Sequence, residues 1–256
     1  MPSFRLSQVL YAAYERQLRH GLSAADLPDH VAVLADGNRR WARANAPGLP
    51  LVAGYRAGAE KLRQFCSWCD DLGIPMVTLW VLSTDNLDRD QNQELAPLFD
   101  VIVELVADLA AKHSVRIVGA LGLLPGELAD RLRQAAGQET EQGMHVNIAI
   151  AYGGRQELRD AVRALLSDQA NRGLTLSELA ETLEVDQIED HLYTSGQPDP
   201  DLIIRTSGEQ RLSGFLMWQS AHAEFYFCEA LWPDFRLVDF YRALRSYGQR
   251  ERRFGR

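Results

Sequence analysis

Apolar residues in this chain of 256 residues come mostly in short continuous runs instead of alternating with polar ones. The runs are VAVLA at 31–35, MVTLWVL at 76–82, VRIVGA at 115–120, HVNIAIA at 145–151, DLIIRT at 201–206 and EFYF at 224–227. Runs of this kind suit strands buried on both faces, as in a parallel sheet covered by helices. Between them, apolar positions recur at helical spacing over 53–72, 92–112, 126–142, 154–170, 175–192 and 237–247. Strand and helix alternate from end to end, which predicts one α/β domain with a mostly parallel central sheet flanked by helices. Residues 2–20 read as an extra amphipathic helix, making 1–28 an N-terminal helical extension, and 250–256 read as a C-terminal tail. No linker-like stretch and no internal repeat divides residues 1–256, so a single domain is expected.

Composition narrows the class. Hydrophobic residues make up 46% of the chain, an ordinary globular share. No apolar run approaches the roughly 20 residues needed to cross a bilayer, and the N-terminus MPSFRLSQVLYAAYERQLRHGL carries too many charges for a secretory signal. A cytoplasmic protein without a transmembrane segment is expected. The formal net charge of −8 argues against a nucleic-acid binder, which needs clustered cations; arginines focused at a few points suggest a small anionic ligand instead. Cys66 and Cys69 have C-x-x-C spacing but fall in a helical pattern with Leu62, Phe65 and Leu72, so they read as small buried side chains. The six His show no ligand spacing, which disfavours zinc.

Ligands of open parallel sheets bind beyond the carboxyl ends of the strands, and three polar motifs fall there. DGNRRWA follows the first run. Gly37 and Asn38 at a helix start leave N–H groups free for a phosphate, and Arg39 and Arg40 add guanidinium groups that match its oxygens. Asp36 would repel that ligand unless a hard cation such as Mg²⁺ sits between them. An Asp N-cap ahead of a solvated basic turn explains the same letters, and the motif alone does not separate the two. RTSGEQRLS follows the fifth run, where Arg205, Arg211 and Ser213 can clamp a second diphosphate; a surface loop with Arg211 paired to Glu209 is the other reading, weakened by the apolar FLMW that follows. STDNLDRD, after the second run, offers Ser83, Thr84, Asp85, Asn86 and Arg89, either as a reaction centre or as a capped turn. Glu224, flanked by apolar residues, calls for a cation, either an Arg or a metal. GYRAGAEK lacks the G-K-[ST] of a phosphate loop and lies in a helical pattern, and YGGRQEL reads as a strand-to-helix turn.

In this order, HVAVLADGNRRWA, GYRAGAEK, LSTDN, NIAIAYGGR, DPDLIIRTSGEQRLSGFLMWQSAHAEFYF, LWPDF and RERRFG resemble the cis-prenyltransferases, the undecaprenyl diphosphate synthase family, over His30 to Gly255. The wording from LYTSG to MWQS is similar to the actinobacterial short-chain branch, the Z-farnesyl diphosphate synthases. The resemblance implies a Mg²⁺-dependent transferase that joins isopentenyl diphosphate to an allylic diphosphate. It implies an allylic diphosphate on Gly37, Asn38, Arg39, Arg40 and Trp41, with Mg²⁺ on Asp36 and Glu224 assisting. Isopentenyl diphosphate falls to Arg205, Arg211 and Ser213, with Arg253 and Gly255 of an R-x-G motif reaching a partner subunit's site in a homodimer. Asp36, Ser83, Asn86 and Arg89 fall at the reaction centre. Membrane association, if any, comes peripherally through the product.

The chain also departs from the family. Leu51 and Tyr55 stand where relatives usually carry Arg and His, and Arg39, where many have Gly, is a candidate replacement for the lost guanidinium. Val81 and Leu82 stand where long-chain synthases tend to have Ala and Phe, so a branched wall beside the allylic tail predicts a short product of about C15 from geranyl diphosphate. The strand run 76–82 and the helix 92–112 are the expected cleft for that tail. A long-chain synthase for a lipid carrier and a non-catalytic diphosphate-binding subunit of a heteromeric prenyltransferase are the alternatives. A phosphate-binding hydrolase is disfavoured by the lack of a nucleophile–base pair or P-loop.

Overall fold

The protein is described by a computed structural model for residues 13–23, 26–90, 94–140 and 143–249. Strands β1 (His30–Leu34), β2 (Met76–Trp80), β3 (Ser114–Val118), β4 (His145–Ala149), β5 (Leu202–Arg205) and β6 (Glu224–Phe227) form one sheet in the order β3-β4-β2-β1-β5-β6. Every pairing is parallel, so the expected α/β layer holds with no antiparallel edge among the described residues. Helical residues 13–20 (α1) precede β1. They are followed by α2 (Asn38–Asn45), α3 (Val52–Leu72), α4 (Ala96–Ala110), α5 (Gly126–Ala136), α6 (Gly154–Asn171), α7 (Leu176–Thr182), α8 (Val185–Glu189) and α9 (Leu237–Gly248).

Successive strand residues feed opposite faces of the sheet. Val31, Val33, Val77, Leu79, Val146, Ile148 and Ile204 join one buried cluster, with Phe65 of α3, Leu105 of α4 and Phe240 of α9. Ala32, Leu34, Ala149 and Ile203 join a second with Tyr152, Phe215 and Leu216. Burial on both sides explains the unbroken apolar runs. The second face also carries polar groups that satisfy one another: Thr78 Oγ1 is 2.8 Å from the ring of His30 and accepts from Asn147 Nδ2 at 3.2 Å.

Several element ends differ from the sequence expectation. The run expected as one helix over 175–192 is two, because it holds two start signals. Thr175 and Glu178 form one capping box, and Glu184 and Gln187 form another, and an N-cap has extended backbone that breaks the helix before it. The helix expected over 126–142 stops at Ala136, where Gly137 turns at φ 66°. β2 stops at Trp80 because the N–H groups of Val81 and Leu82 both donate to the carbonyl of Ala149, at 3.0 and 3.2 Å. Cys66 and Cys69 are fully buried on α3, and burial pushes the Cys66 thiol up to about 12.

β1 lies between β2 and β5, the point at which the strand order changes direction. The carboxyl ends of these three strands therefore open on one crevice.

Candidate active site

The first anion grip grows from the end of β1. Gly37 turns the chain at φ 114°, and a Cβ there would lie 2.9 Å from Leu231 Cδ2 and 3.0 Å from its Cα. Glycine alone fits both demands. α2 begins at Asn38 without a side-chain cap, so its first N–H groups face outward as donors. Two glycines of α3 let α2 approach: a Cβ on Gly54 or Gly58 would come within 2.3 Å of Asn38 O or Asn38 Oδ1 respectively. The glycines of GYRAGAEK thus serve helix packing. Arg39 and Arg40 stand at the mouth, roughly half exposed, with Arg39 3.7 Å from Glu94 and Arg40 3.7 Å from Asp36.

The second grip is built differently. Arg205 ends β5 and is 5% exposed. Its Nη1 donates to Ser213 Oγ at 2.8 Å and to the carbonyl of Arg211, and its Nη2 donates to Asp36 Oδ2 at 3.1 Å. Its Nε is buried without a partner. The loop that follows carries left-handed backbone at Ser207 (φ 81°), Ser213 (φ 52°) and Leu216 (φ 45°), conformations that cost a non-glycine residue on the order of 1 kcal/mol or more. Phe215, stacked on Trp80 at 5.1 Å with 5° between ring planes, pins the loop against the sheet. Arg211 does pair with Glu209, as the surface-loop reading required, yet both line the same cavity as Arg205.

That cavity holds about 600 Å³. Its rim brings together Asp36, Gly37, Asn38, Arg39, Arg40, Ser83, Asn86, Arg89, Arg205, Arg211 and Ser213. Six arginines, with Arg43 added, face two carboxylates, Asp36 and Glu209. In a chain of net charge −8, that local excess of cations selects an anionic ligand. Beneath the rim the walls turn apolar: Leu62 of α3, Leu98, Val101, Ile102 and Leu105 of α4, and Trp80 and Val81. Ser83 Oγ accepts from Asn86 N at 3.2 Å, and Asn86 Oδ1 accepts from Arg89. Arg89 also donates to the Tyr55 hydroxyl at 3.2 Å and lies 3.2 Å from Glu94. Burial, reinforced by Glu94, drives the Tyr55 phenol well above its usual range, so it stays a donor to Glu94. Burial also lowers the pKa of Arg89.

Three expected site residues stand elsewhere. Trp41 does not line the cavity; its indole N–H donates to Asp234 at 2.8 Å, so it anchors α2 from behind. Leu82 is fully buried in the first core cluster, because neighbouring residues past β2 point to opposite sides and only Val81 reaches the cavity. Glu224 opens β6 in register with Leu202, while Arg205 is in register with Phe227. At about 3.3 Å per residue, Glu224 lies roughly 10 Å down the sheet from the Arg205 end, so Asp36 and Glu224 do not converge within one chain. Arg253 and Gly255 lie outside the described residues.

The helix expected as the tail cleft does line the cavity, through residues the sequence did not single out, and Arg43 was missed altogether. Arg43 lies one turn beyond Arg39 on α2. Leu98, Val101, Ile102 and Leu105 form a stripe at helical spacing that reads equally as core.

The donor set also bears on a metal. No group of three or more His, Cys, Asp or Glu side chains converges among the described residues, so no all-protein cage exists there. Asp36, facing a cavity rich in guanidinium groups while Glu209 is taken up by Arg211, fits Mg²⁺, an ion held by one or two carboxylates plus phosphate oxygens and water.

The family comparison agrees with this geometry. Residues 34–255 match the sequence model of a prenyltransferase family described as undecaprenyl diphosphate synthase. The chain belongs to that family. It is 55% identical over 259 residues to a protein of Mycolicibacterium smegmatis named (2Z,6E)-farnesyl diphosphate synthase, covering 98% of each chain. A Thermobifida fusca protein of the same name is 57% identical over 249 residues, covering 96% of this chain and 97% of that one. Among solved structures, lavandulyl diphosphate synthase from Lavandula x intermedia, in complex with dimethylallyl diphosphate, superposes with a TM-score of 0.81 at 33% identity. That match covers 91% of this chain and all of that one. This prenyltransferase therefore shares its fold with the lavandulyl diphosphate synthase and aligns over nearly all of both curated relatives. Among its described residues no helix is long and apolar enough to cross a membrane.

Proposed function

We propose that this prenyltransferase condenses isopentenyl diphosphate with a short allylic diphosphate, geranyl diphosphate first of all, to give (2Z,6E)-farnesyl diphosphate and free diphosphate. The observation that carries the reading is the pair of arginine grips of different construction opening on one cavity with an apolar floor. Gly37, Asn38, Arg39 and Arg40 receive the allylic diphosphate, with the prenyl tail directed between Val81 and the Leu98–Leu105 stripe. Arg205, Arg211 and Ser213 receive isopentenyl diphosphate. The names of the Mycolicibacterium and Thermobifida relatives support the same product.

Holding both diphosphates at fixed points supplies proximity and orientation, the largest help available to a two-substrate reaction. As the allylic C–O bond breaks, the guanidinium groups of Arg39 and Arg40 face the negative charge that develops on the departing diphosphate. The double bond of isopentenyl diphosphate closes on the allylic carbon, and the proton lost from the resulting cation passes to the departing diphosphate beside Ser83 and Asn86, where Arg89 holds Asn86 in place. Asp36 would hold Mg²⁺ together with diphosphate oxygens, and the ion would supply Lewis-acid stabilisation of the leaving group. Val81 closes the tail cleft after one addition. A homodimer in the cytoplasm, with Arg253 and Gly255 serving the partner's site, completes the proposal.

Incubation with labelled isopentenyl diphosphate, Mg²⁺ and dimethylallyl, geranyl or farnesyl diphosphate, followed by product sizing, tests it. A C15 product from geranyl diphosphate is expected. A ladder of much longer chains would assign the protein to lipid-carrier synthesis instead, and no elongation with any primer would leave it a binding subunit.

A further inference from the structure

The two grips belong to different substrates, yet one carboxylate serves both. Asp36 places Oδ2 3.1 Å from Arg205 and Oδ1 3.7 Å from Arg40. Arg205 is the more constrained partner. Its side chain is 6% exposed against 40% for Asp36, and a guanidinium so far from water needs a counter-charge. Glu209, the other carboxylate lining the cavity, is engaged by Arg211. Asp36 thus neutralises the arginine that the preceding section assigns to isopentenyl diphosphate, and occupies its Nη2.

We infer that Asp36 is a built-in competitor for isopentenyl diphosphate, and that withdrawing its charge from Arg205 tightens that subsite. The inference rests on the assignment of Arg205 to isopentenyl diphosphate. Two effects act in the same direction: the carboxylate repels a diphosphate brought to Arg205, and it holds a donor that the diphosphate needs. A divalent cation on Asp36 neutralises the carboxylate and so weakens its hold on Arg205, whose Nη2 lies 3.1 Å from Oδ2. By linkage, bound isopentenyl diphosphate raises the cation's affinity by the same factor. The consequence for the reaction is an order of filling. While Asp36 holds no cation, the isopentenyl side stays weak; once Asp36 is engaged on the allylic side, that side strengthens. The coupling is expected to be about tenfold, within the usual range for linked sites.

Calorimetric titration of the full chain with isopentenyl diphosphate alone tests this without turnover, since one substrate cannot condense. In EDTA, Asp36→Asn should bind about tenfold more tightly than the wild type. Mg²⁺ should tighten the wild type about tenfold more than it tightens Asp36→Asn, a difference that cancels direct binding of Mg²⁺ to the diphosphate. Asp36→Ala, which removes the charge without leaving an amide against Arg205, should show the same sign, and circular dichroism checks that each variant is folded. Equal or weaker binding of both folded variants in EDTA overturns the inference, as does an equal response to Mg²⁺ in wild type and variant. Arg205→Ala separates the two levels of the argument. If it binds isopentenyl diphosphate like the wild type, the assignment of the subsite is wrong; if it loses binding while the Asp36 variants gain none, the assignment stands and the coupling is wrong.

Discussion

The two arginine grips face each other across one cavity and are made by opposite strategies. The grip at the end of β1 is a helix start with two arginines that remain about half exposed. Its precision lies in the backbone: Gly37 against Leu231, and Asn38 against Gly54 and Gly58. The grip at the end of β5 puts its precision in a side chain. Arg205 is buried, bonded at both Nη atoms, and wrapped by a loop with three left-handed non-glycine residues. An exposed arginine contributes modestly and tolerates replacement, whereas a buried, pre-aimed one gives more per contact and is costly to remove. That difference suits the proposed division of labour, in which the allylic primer is the variable partner and isopentenyl diphosphate the fixed one.

The sharpest way to break the comparison is Arg205→Ala. It should weaken isopentenyl diphosphate binding by roughly a hundredfold or more, the scale of one desolvated charge pair, while an allylic analogue binds nearly as before; calorimetry with each ligand reads both. Next comes the pair at the end of β2. Leu82→Ala should lower stability by about 2–4 kcal/mol, as a large-to-small change in a closed core, and leave product length at C15. Val81→Ala should cost less stability and lengthen the product. Thermal unfolding with product sizing checks the two together, and no lengthening would remove Val81 as the stop. Gly37→Ala should cost roughly 1–3 kcal/mol through its backbone and the Leu231 contact, with the loss of affinity confined to the allylic side. The smallest effect is assigned to Arg39→Gly, a loss of about threefold to tenfold for the allylic diphosphate only. No change there would mean that Arg39 does not replace the guanidinium missing at Leu51.

What could be read from the sequence follows the same division. Backbone-made features were legible because they need particular residue types at fixed spacing. The six strands showed as continuous apolar runs, and the turn into α2 showed as D-G-N before two arginines. Arg205, Arg211 and Ser213 were legible as types, but the burial of Arg205 and its bond to Asp36 were not, because 169 positions separate the partners and no local pattern encodes that meeting. Orientation was the other blind spot. Val81 and Leu82 are neighbours of like chemistry, and only the hydrogen bonds of both to Ala149 determine which one faces the cavity. Trp41 sits among ligand-facing residues in the sequence yet points away, since Asp234 accepts its N–H. Glu224 opens the EFYF run, so its place at the start of β6 was legible, but the family resemblance that pairs it with Asp36 does not say how β6 aligns with β5. The register of Glu224 with Leu202 does.

The central claim is that two diphosphates bind at once, each on its own grip. It is tested most directly by titrating isopentenyl diphosphate, with Mg²⁺, into protein already saturated with an unreactive geranyl thiolodiphosphate. The account predicts one equivalent of isopentenyl diphosphate per chain, bound at least as tightly as without the analogue. Competition between the two ligands, with isopentenyl diphosphate excluded until the analogue is displaced, would contradict it.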